Sequence, residues 1–338
     1  MATYYGTYGQ KVQYLASDPT DPQIGQVWYN YTSATLKVRG YNAAAWTSGP
    51  NLSTGRGNMG AGSNNGTQTA YLVSGGSPGA PPPGSIYAPI TTAAEKYNGT
   101  SWTSAGSMSV QRRSNSGAGT QTAAMSIGGA DTTNSASTDN QLYNGSSWTT
   151  GTGIPANRRD GGACGTQTAA LYIGGFFAPP YIGPPYANNN NTFIYNGSSW
   201  TSGNTYPTDI YFSGASGSST AAISSGGTAN PFGPLMGPTA AVNSWNGTSW
   251  TGLTSMPAAQ PSVLGAGTQS AQFAFGSGFA YDWNGTSWTA GTQNSSARPA
   301  AGGGTNNGST LLAGGPSGST ATELYSGAAV ATKTVTVS

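Results

Sequence analysis

Short apolar runs closed by glycine pairs recur along this chain. They alternate with runs in which two aromatic residues flank an Asn-Gly turn. The first type is Gly66-Thr67-Gln68-Thr69-Ala70-Tyr71-Leu72-Val73-Ser74-Gly75-Gly76, repeated at 119–129 and 165–175 and in weaker form at 217–227, 267–277 and 308–315. Each reads as a strand ended by glycines, which reach φ > 0 and so permit a sharp reversal. The second type is Tyr97-Asn98-Gly99-Thr100-Ser101-Trp102-Thr103, which returns at 143–149, 195–201, 245–251 and 283–289, with eroded copies at 41–46 and 325–330. Asn-Gly favours tight reversals that need φ > 0. Four residues separate the aromatics, so a bulged or four-residue turn is expected. Paired aromatics of this kind bury about 150–250 Å² each, a large contribution in a chain poor in Leu and Ile.

The two patterns interlock into one repeat. The trailing aromatics are Trp102, Trp148, Trp200, Trp250 and Trp288, with Trp46 ahead of them and Val330 in the seventh place. A Gly pair, then Tyr, then Trp, recurring at about 50 residues, is the pattern of kelch repeats. The order Gly-Gly … Tyr-Asn-Gly-Thr-Ser-Trp resembles kelch blades across residues 50–338. The resemblance implies that the Gly pair closes the second strand of a blade, the Tyr lies in the third and the Trp opens the fourth. The expected fold is therefore all-β: a kelch-type β-propeller over 50–338, with six blades and with seven as the alternative. Its last strand is expected over 330–337. Residues 1–49 read as a separate β-hairpin module, with strands at 26–31 and 35–39 around a Thr-Ser-Ala turn. Alternatively, that module completes a seventh, partial blade.

Composition narrows the function classes. The chain has 338 residues, 6% charged, with a net charge of +2 and 11% aromatic. Phosphate binding needs clustered Lys and Arg, so nucleic acid is not an expected partner. No apolar run approaches the roughly 18 residues of a spanning helix, and no membrane insertion is expected. The first residues carry neither the basic nor the apolar region of a secretory signal peptide. A single cysteine, Cys164, allows no intrachain disulfide and reads as a small buried residue.

Candidate chemistry is sparse. There is no histidine, which removes most metal sites and both the Ser-His-Asp and Cys-His arrangements. No metal, no cofactor and no catalytic residue is expected. The nine carboxylates are Asp18, Asp21, Glu95, Asp131, Asp139, Asp160, Asp209, Asp282 and Glu323, and none recurs at one repeat position in more than two blades. A glycosidase pair assembled across blades is a weaker alternative. Arg56, Arg113, Arg159 and Arg298 each lie six residues before a glycine, in the segment expected to form the innermost strand. They read either as an anion-binding ring around the channel or, more simply, as arginines bonded to backbone carbonyls. Tyr211 and Pro261 occupy the same place in two other repeats.

Insertions rich in Pro and aromatics follow several of the Gly pairs, always between the second and third strands, and should emerge on one face of the ring. They carry Tyr87, Phe176, Phe177, Tyr181, Tyr186 and Phe232 as candidate ligand- or partner-binding residues. Exposed aromatic patches mark interaction sites, and long loops in compact domains are commonly functional. The Asn-Gly-Thr/Ser triplets at Asn98, Asn144, Asn196, Asn246 and Asn284 also match N-glycosylation acceptors. The repeated turn accounts for all five.

The N-terminal run Leu15-Ala16-Ser17-Asp18-Pro19 … Gly25-Gln26-Val27-Trp28-Tyr29-Asn30 … Leu36-Lys37-Val38 … Trp46 resembles a module of tailed-phage structural proteins. The repeats resemble those of kelch-like proteins of marine phages such as cyanophages. Two departures are Ala43-Ala44 in the first copy and the missing Gly-Thr-Gln-Thr in the fourth blade. The resemblance implies a virion fibre or surface protein, located on the particle. Residues 1–49 would bind other virion proteins, the propeller would display a recognition face toward host-surface glycan, and the chain would be a homo-oligomer in the assembly. The alternative is a structural or decoration protein whose loops bind neighbouring subunits.

Overall fold

This computed structural model describes residues 12–59, 63–79, 89–177, 190–229, 237–295, 301–303, 307–315 and 318–335. They form strands and turns throughout and divide into two compact units, residues 46–326 and residues 1–45 with 327–338.

The larger unit is a six-bladed β-propeller. Five blades are consecutive antiparallel meanders, whose inner strands are Ser63–Thr67, Ser116–Thr120, Gly162–Thr166, Gly214–Gly217 and Leu264–Thr268. The sixth has the order Ala301–Gly303, Ser309–Ala313, Thr322–Ser326 and then Ala45–Gly49, a strand from the other end of the chain. The six inner strands touch in a closed circle, the sixth returning to the first.

This closure corrects the expected boundary. The fourth strand of the last blade comes from the segment around Trp46, and Val330 plays no part in it. Ala329–Thr334 pairs instead with Thr35–Asn42 in the smaller unit. Trp46 therefore completes the sixth blade, and no seventh blade forms among the described residues. The propeller runs over 46–326 rather than 50–338, and the small module takes strands from both ends of the chain.

Both sequence patterns have a packing role. Each Asn-Gly turn joins the third strand to the fourth, with Tyr97 directly opposite Trp102 and four residues between them. The Asn98 side-chain oxygen Oδ1 accepts from the Thr100 and Ser101 backbone amides at 3.0 and 2.9 Å, and the same turn recurs at Asn144, Asn196, Asn246 and Asn284. The flanking rings pack at centroid distances of 4.8–5.2 Å in all six blades, including Trp283 with Trp288 and Tyr325 with Trp46. Most of the trailing indoles reach back to the preceding blade: Trp102 to the Pro50 carbonyl, Trp200 to Thr152, Trp250 to Thr192, Trp288 to Thr254 and Trp46 to Thr292. Trp148 is the exception, its indole nitrogen buried without an acceptor among the described residues.

The Gly-Thr-Gln-Thr run proves to be an interblade clamp. The amide nitrogen of Gln167 donates to the carbonyls of Ala124 and Tyr143 in the preceding blade at 2.9 and 2.7 Å. Gln68, Gln121 and Gln269 make the same pair of bonds to Thr310 and Tyr325, to Tyr71 and Tyr97, and to Ala222 and Trp245. The apolar core lies between blades, as where Tyr71, Val73, Tyr97 and Trp102 of the first meet Leu311 and Ala313 of the sixth.

The smaller unit is a four-stranded sheet, ordered Gln13–Leu15, Val27–Asn30, Thr35–Asn42 and Ala329–Thr334. The hairpin expected at 26–39 is present, and the sheet extends it on both sides. Trp28 is fully buried, and its indole donates to Asp18 at 3.0 Å. Asn30 and Lys37 donate to the same carboxylate at 2.8 and 2.6 Å.

Candidate functional site

In an antiparallel meander, the start of the first strand lies beside the end of the second. The leads into the inner strands therefore share one face of the propeller with the loops joining second and third strands. On that face a cavity of about 440 Å³ is lined by Asn58, Arg113, Ser114, Asn134, Arg159, Asp160, Phe176, Tyr211 and Phe212.

Its floor is an unusual backbone feature. Asn58, Ser114, Asp160 and Phe212 precede the inner strands of four successive blades, and all have φ between 48° and 57°. Each passes a hydrogen bond on around the ring. The Ser114 amide donates to the Asn58 carbonyl at 2.6 Å, Asp160 to Ser114 at 2.9 Å, Phe212 to Asp160 at 2.7 Å and Val263 to Phe212 at 2.9 Å. The left-handed conformation is unfavourable for a bulky residue such as Phe212. Strained backbone of this sort costs about 1–3 kcal/mol and concentrates at functional sites.

The walls come from the adjacent residues. Arg113, Arg159 and Tyr211 hold equivalent positions, each bridged by backbone to the loop strand beyond a Gly pair, at Ala130, Phe176 and Thr228 respectively. The Arg159 bridge fixes Phe176, whose ring lies 4.7 Å from the Arg159 guanidinium and 5.9 Å from the Tyr211 ring. The Asn134 side-chain oxygen accepts from Arg113 at 3.0 Å and also from Arg159. Asn134 is presented by a loop closed on Asp131, whose carboxylate accepts from the Thr133 and Ser135 amides. Asp160 contributes the carboxylate of the lining, 3.9 Å from the Arg159 Nε. Burial pushes its pKa up to about 6, with Arg159, Ser114 and Arg113 partly offsetting the rise.

The structure thus brings Arg113, Arg159 and Phe176 together and leaves Arg56 and Phe177 outside the cavity lining. Arg56 is corrected. The Gly315 amide bonds its carbonyl as the Gly76 and Gly129 amides bond those of Arg112 and Arg158, so Gly57 holds the place of Arg113 and Arg159. The spacing misled because the lead into the first inner strand is longer, its turn glycine being Gly66 rather than Gly62. Arg56 is fully buried in an ion pair with Glu95 at 2.6 Å and also donates to the carbonyls of Ala93, Gly75 and Thr54. Burial lowers its pKa, and Glu95 opposes that shift. Phe177 lies outside the cavity, 5.8 Å from the Arg158 guanidinium. Tyr87, Tyr181, Tyr186, Phe232 and Arg298 lie outside the described residues.

Asn58, Asn134 and Phe212 were not singled out by sequence reasoning, and Asp160 stood only as one of nine carboxylates. Tyr211 was visible only as the residue standing where other blades carry arginine. The residue after that position was the available signal, since it lines the cavity in four blades. Cys164 is buried, and desolvation pushes its thiol up to about 12, so it stays a neutral packing group. Among the described residues, no group of three or more Cys, Asp or Glu side chains could hold a metal ion.

No protein-family model matches the sequence, and no curated protein matches it. Solved structures do match. The one described as "Structure of YjhT" has a TM-score of 0.61 at 15% identity, covering 86% of this chain and 97% of that one. At that identity the likeness is one of fold.

Proposed function

We propose that this protein is a surface or fibre component of a tailed-phage virion, with the propeller presenting a recognition face to host-surface glycan. The observation that carries this reading is the asymmetry of the propeller. One face consists of short repeated turns whose Asn side chains bond back to their own turn. The other carries a cavity walled by Phe176, Tyr211 and Phe212 beside two arginines, a lining that does not repeat from blade to blade. Aromatic faces combined with a few fixed polar groups suit saccharides, and such concave sites are where ligands bind. The smaller unit fits attachment to other virion proteins, since Tyr14, Tyr31 and Tyr41 are all more than half exposed there. The sequence resemblances to phage proteins point the same way. A carbohydrate-active enzyme would require a second carboxylate across the cavity from Asp160. Among the described lining residues Asp160 is the one carboxylate.

The test is adsorption. Labelled full chain should bind susceptible bacterial cells saturably, and excess unlabelled chain should block phage adsorption. Antibody labelling should place the chain on intact particles. Labelling of the particle without any cell binding would favour the decoration reading, in which the loops bind neighbouring subunits.

A further inference from the structure

We infer that the cavity at the head of the inner strands is a binding site for an acidic saccharide unit, with Arg159 and Arg113 taking the oxyanion and Phe176, Tyr211 and Phe212 taking the apolar face of the ring. The choice of a saccharide rests on the recognition reading above. The oxyanion rests on the geometry alone. Two guanidinium groups converge on one neutral acceptor, the Asn134 side-chain oxygen. The Arg159 Nε is buried and unbonded, and its Nη2 has no hydrogen-bond partner among the described residues. The nearest carboxylate, Asp160, stands 3.9 Å from that Nε, too far for a hydrogen bond. Arg159 therefore keeps unused donors at the cavity wall, held in place by the Phe176 ring on its face. Charge-assisted bonds from arginine to carboxylate or sulfate are among the strongest polar contacts available. The volume of about 440 Å³ suits a sugar unit and falls within the usual range of ligand sites.

Asp160 sets the pH dependence. The charged or titratable groups that act on it are Arg159, Arg113 and, from the second strand of its own blade, Tyr172, which burial keeps protonated. While Asp160 is ionised it offsets one arginine. Once it is protonated that offset is lost and the wall becomes more positive. Affinity for an oxyanion should therefore rise as pH falls through about 6.

The experiment is calorimetric titration of the full chain with glucuronate, glucose 6-sulfate, glucose and inorganic sulfate, each at about pH 7.5 and about pH 5. At least one acidic sugar should bind saturably, more tightly at the lower pH and more tightly than glucose or sulfate alone. Preference for glucuronate or for glucose 6-sulfate identifies the oxyanion. Arg159→Gln should weaken that binding about tenfold or more, the loss of one charge-assisted contact. Arg159→Lys, which keeps the charge, should weaken it less, and thermal melts establish that both variants fold. Binding of no acidic sugar, or binding indifferent to both pH and Arg159→Gln, overturns the inference. The two readings fail separately. Cell adsorption that survives Arg159→Gln and ignores acidic sugars sinks the cavity site alone, whereas acidic-sugar binding without cell adsorption sinks the recognition role alone.

Discussion

The Tyr325 and Trp46 rings pack in a tilted arrangement at a centroid distance of 5.1 Å, although they stand near opposite ends of the propeller sequence. This pair closes the ring, because Trp46 supplies the outer strand of the blade to which Tyr325 belongs. Trp46 also packs on Phe275 at 5.5 Å and donates to the Thr292 carbonyl at 2.8 Å, which joins the sixth blade to the fifth. Trp46→Ala should cost about 3 kcal/mol of stability, the lower end for removing a large aromatic from packing. Denaturant unfolding of the whole chain measures it. Trp46→Phe should recover most of the loss.

The two kinds of arginine should respond differently. Arg56 and Glu95 form a buried ion pair, and removing one partner leaves the other charge uncompensated. Arg56→Met should destabilise the propeller by about 3–5 kcal/mol. The double variant Arg56→Met with Glu95→Leu should be less damaged than the single. Arg159→Gln should change the melting temperature far less, because Arg159 is partly exposed and its ion-pair distance is 3.9 Å.

The glutamine clamp makes a prediction about interfaces. Gln167→Ala strands two buried carbonyls of the preceding blade and should cost about 1–3 kcal/mol. Hydrogen exchange should speed up most at the Ala124 and Tyr143 strands. Ser219 occupies the equivalent place in the fourth blade, where the clamp is missing. Ser219→Gln is therefore a candidate stabilising change, checked by the same melts.

Acid should loosen the smaller unit. Hydrogen bonds from Asn30, Lys37 and Trp28 hold the Asp18 carboxyl down at about 2. A carboxylate depressed in the folded state stabilises above its unfolded pKa of about 3.9, and that contribution is lost as pH falls through the folded value. The Trp28 indole resonance should therefore shift between about pH 4 and about pH 2. In Asp18→Asn that acid transition should disappear.

How much was legible in the sequence differs between scaffold and site. Local chemistry carries the scaffold: the Asn98 turn bonds itself within four residues, and Gly75 and Gly76 take φ of 67° and 91° where side chains are disfavoured. Such signals recur in most copies and so announce the repeat and the all-β class. The candidate site has no such signal. Phe176 was legible as a loop aromatic, but its neighbours Asn134, Asp160 and Tyr211 come from three different blades, and only the ring brings them together. Arg56 shows the limit of counting along the chain, since a longer lead into one strand moved it from the cavity row to the buried row.

The residue order by itself determined the strand and turn units and the all-β class, because each depends on interactions within a few residues. The tertiary structure alone decided that Trp46 rather than Val330 completes the last blade and that Ala329–Thr334 joins the smaller sheet. It also decided which two arginines share Asn134. These outcomes depend on contacts between residues far apart in the chain, where the gain from pairing must offset the entropy of closing the loop, and no local pattern records which partner wins.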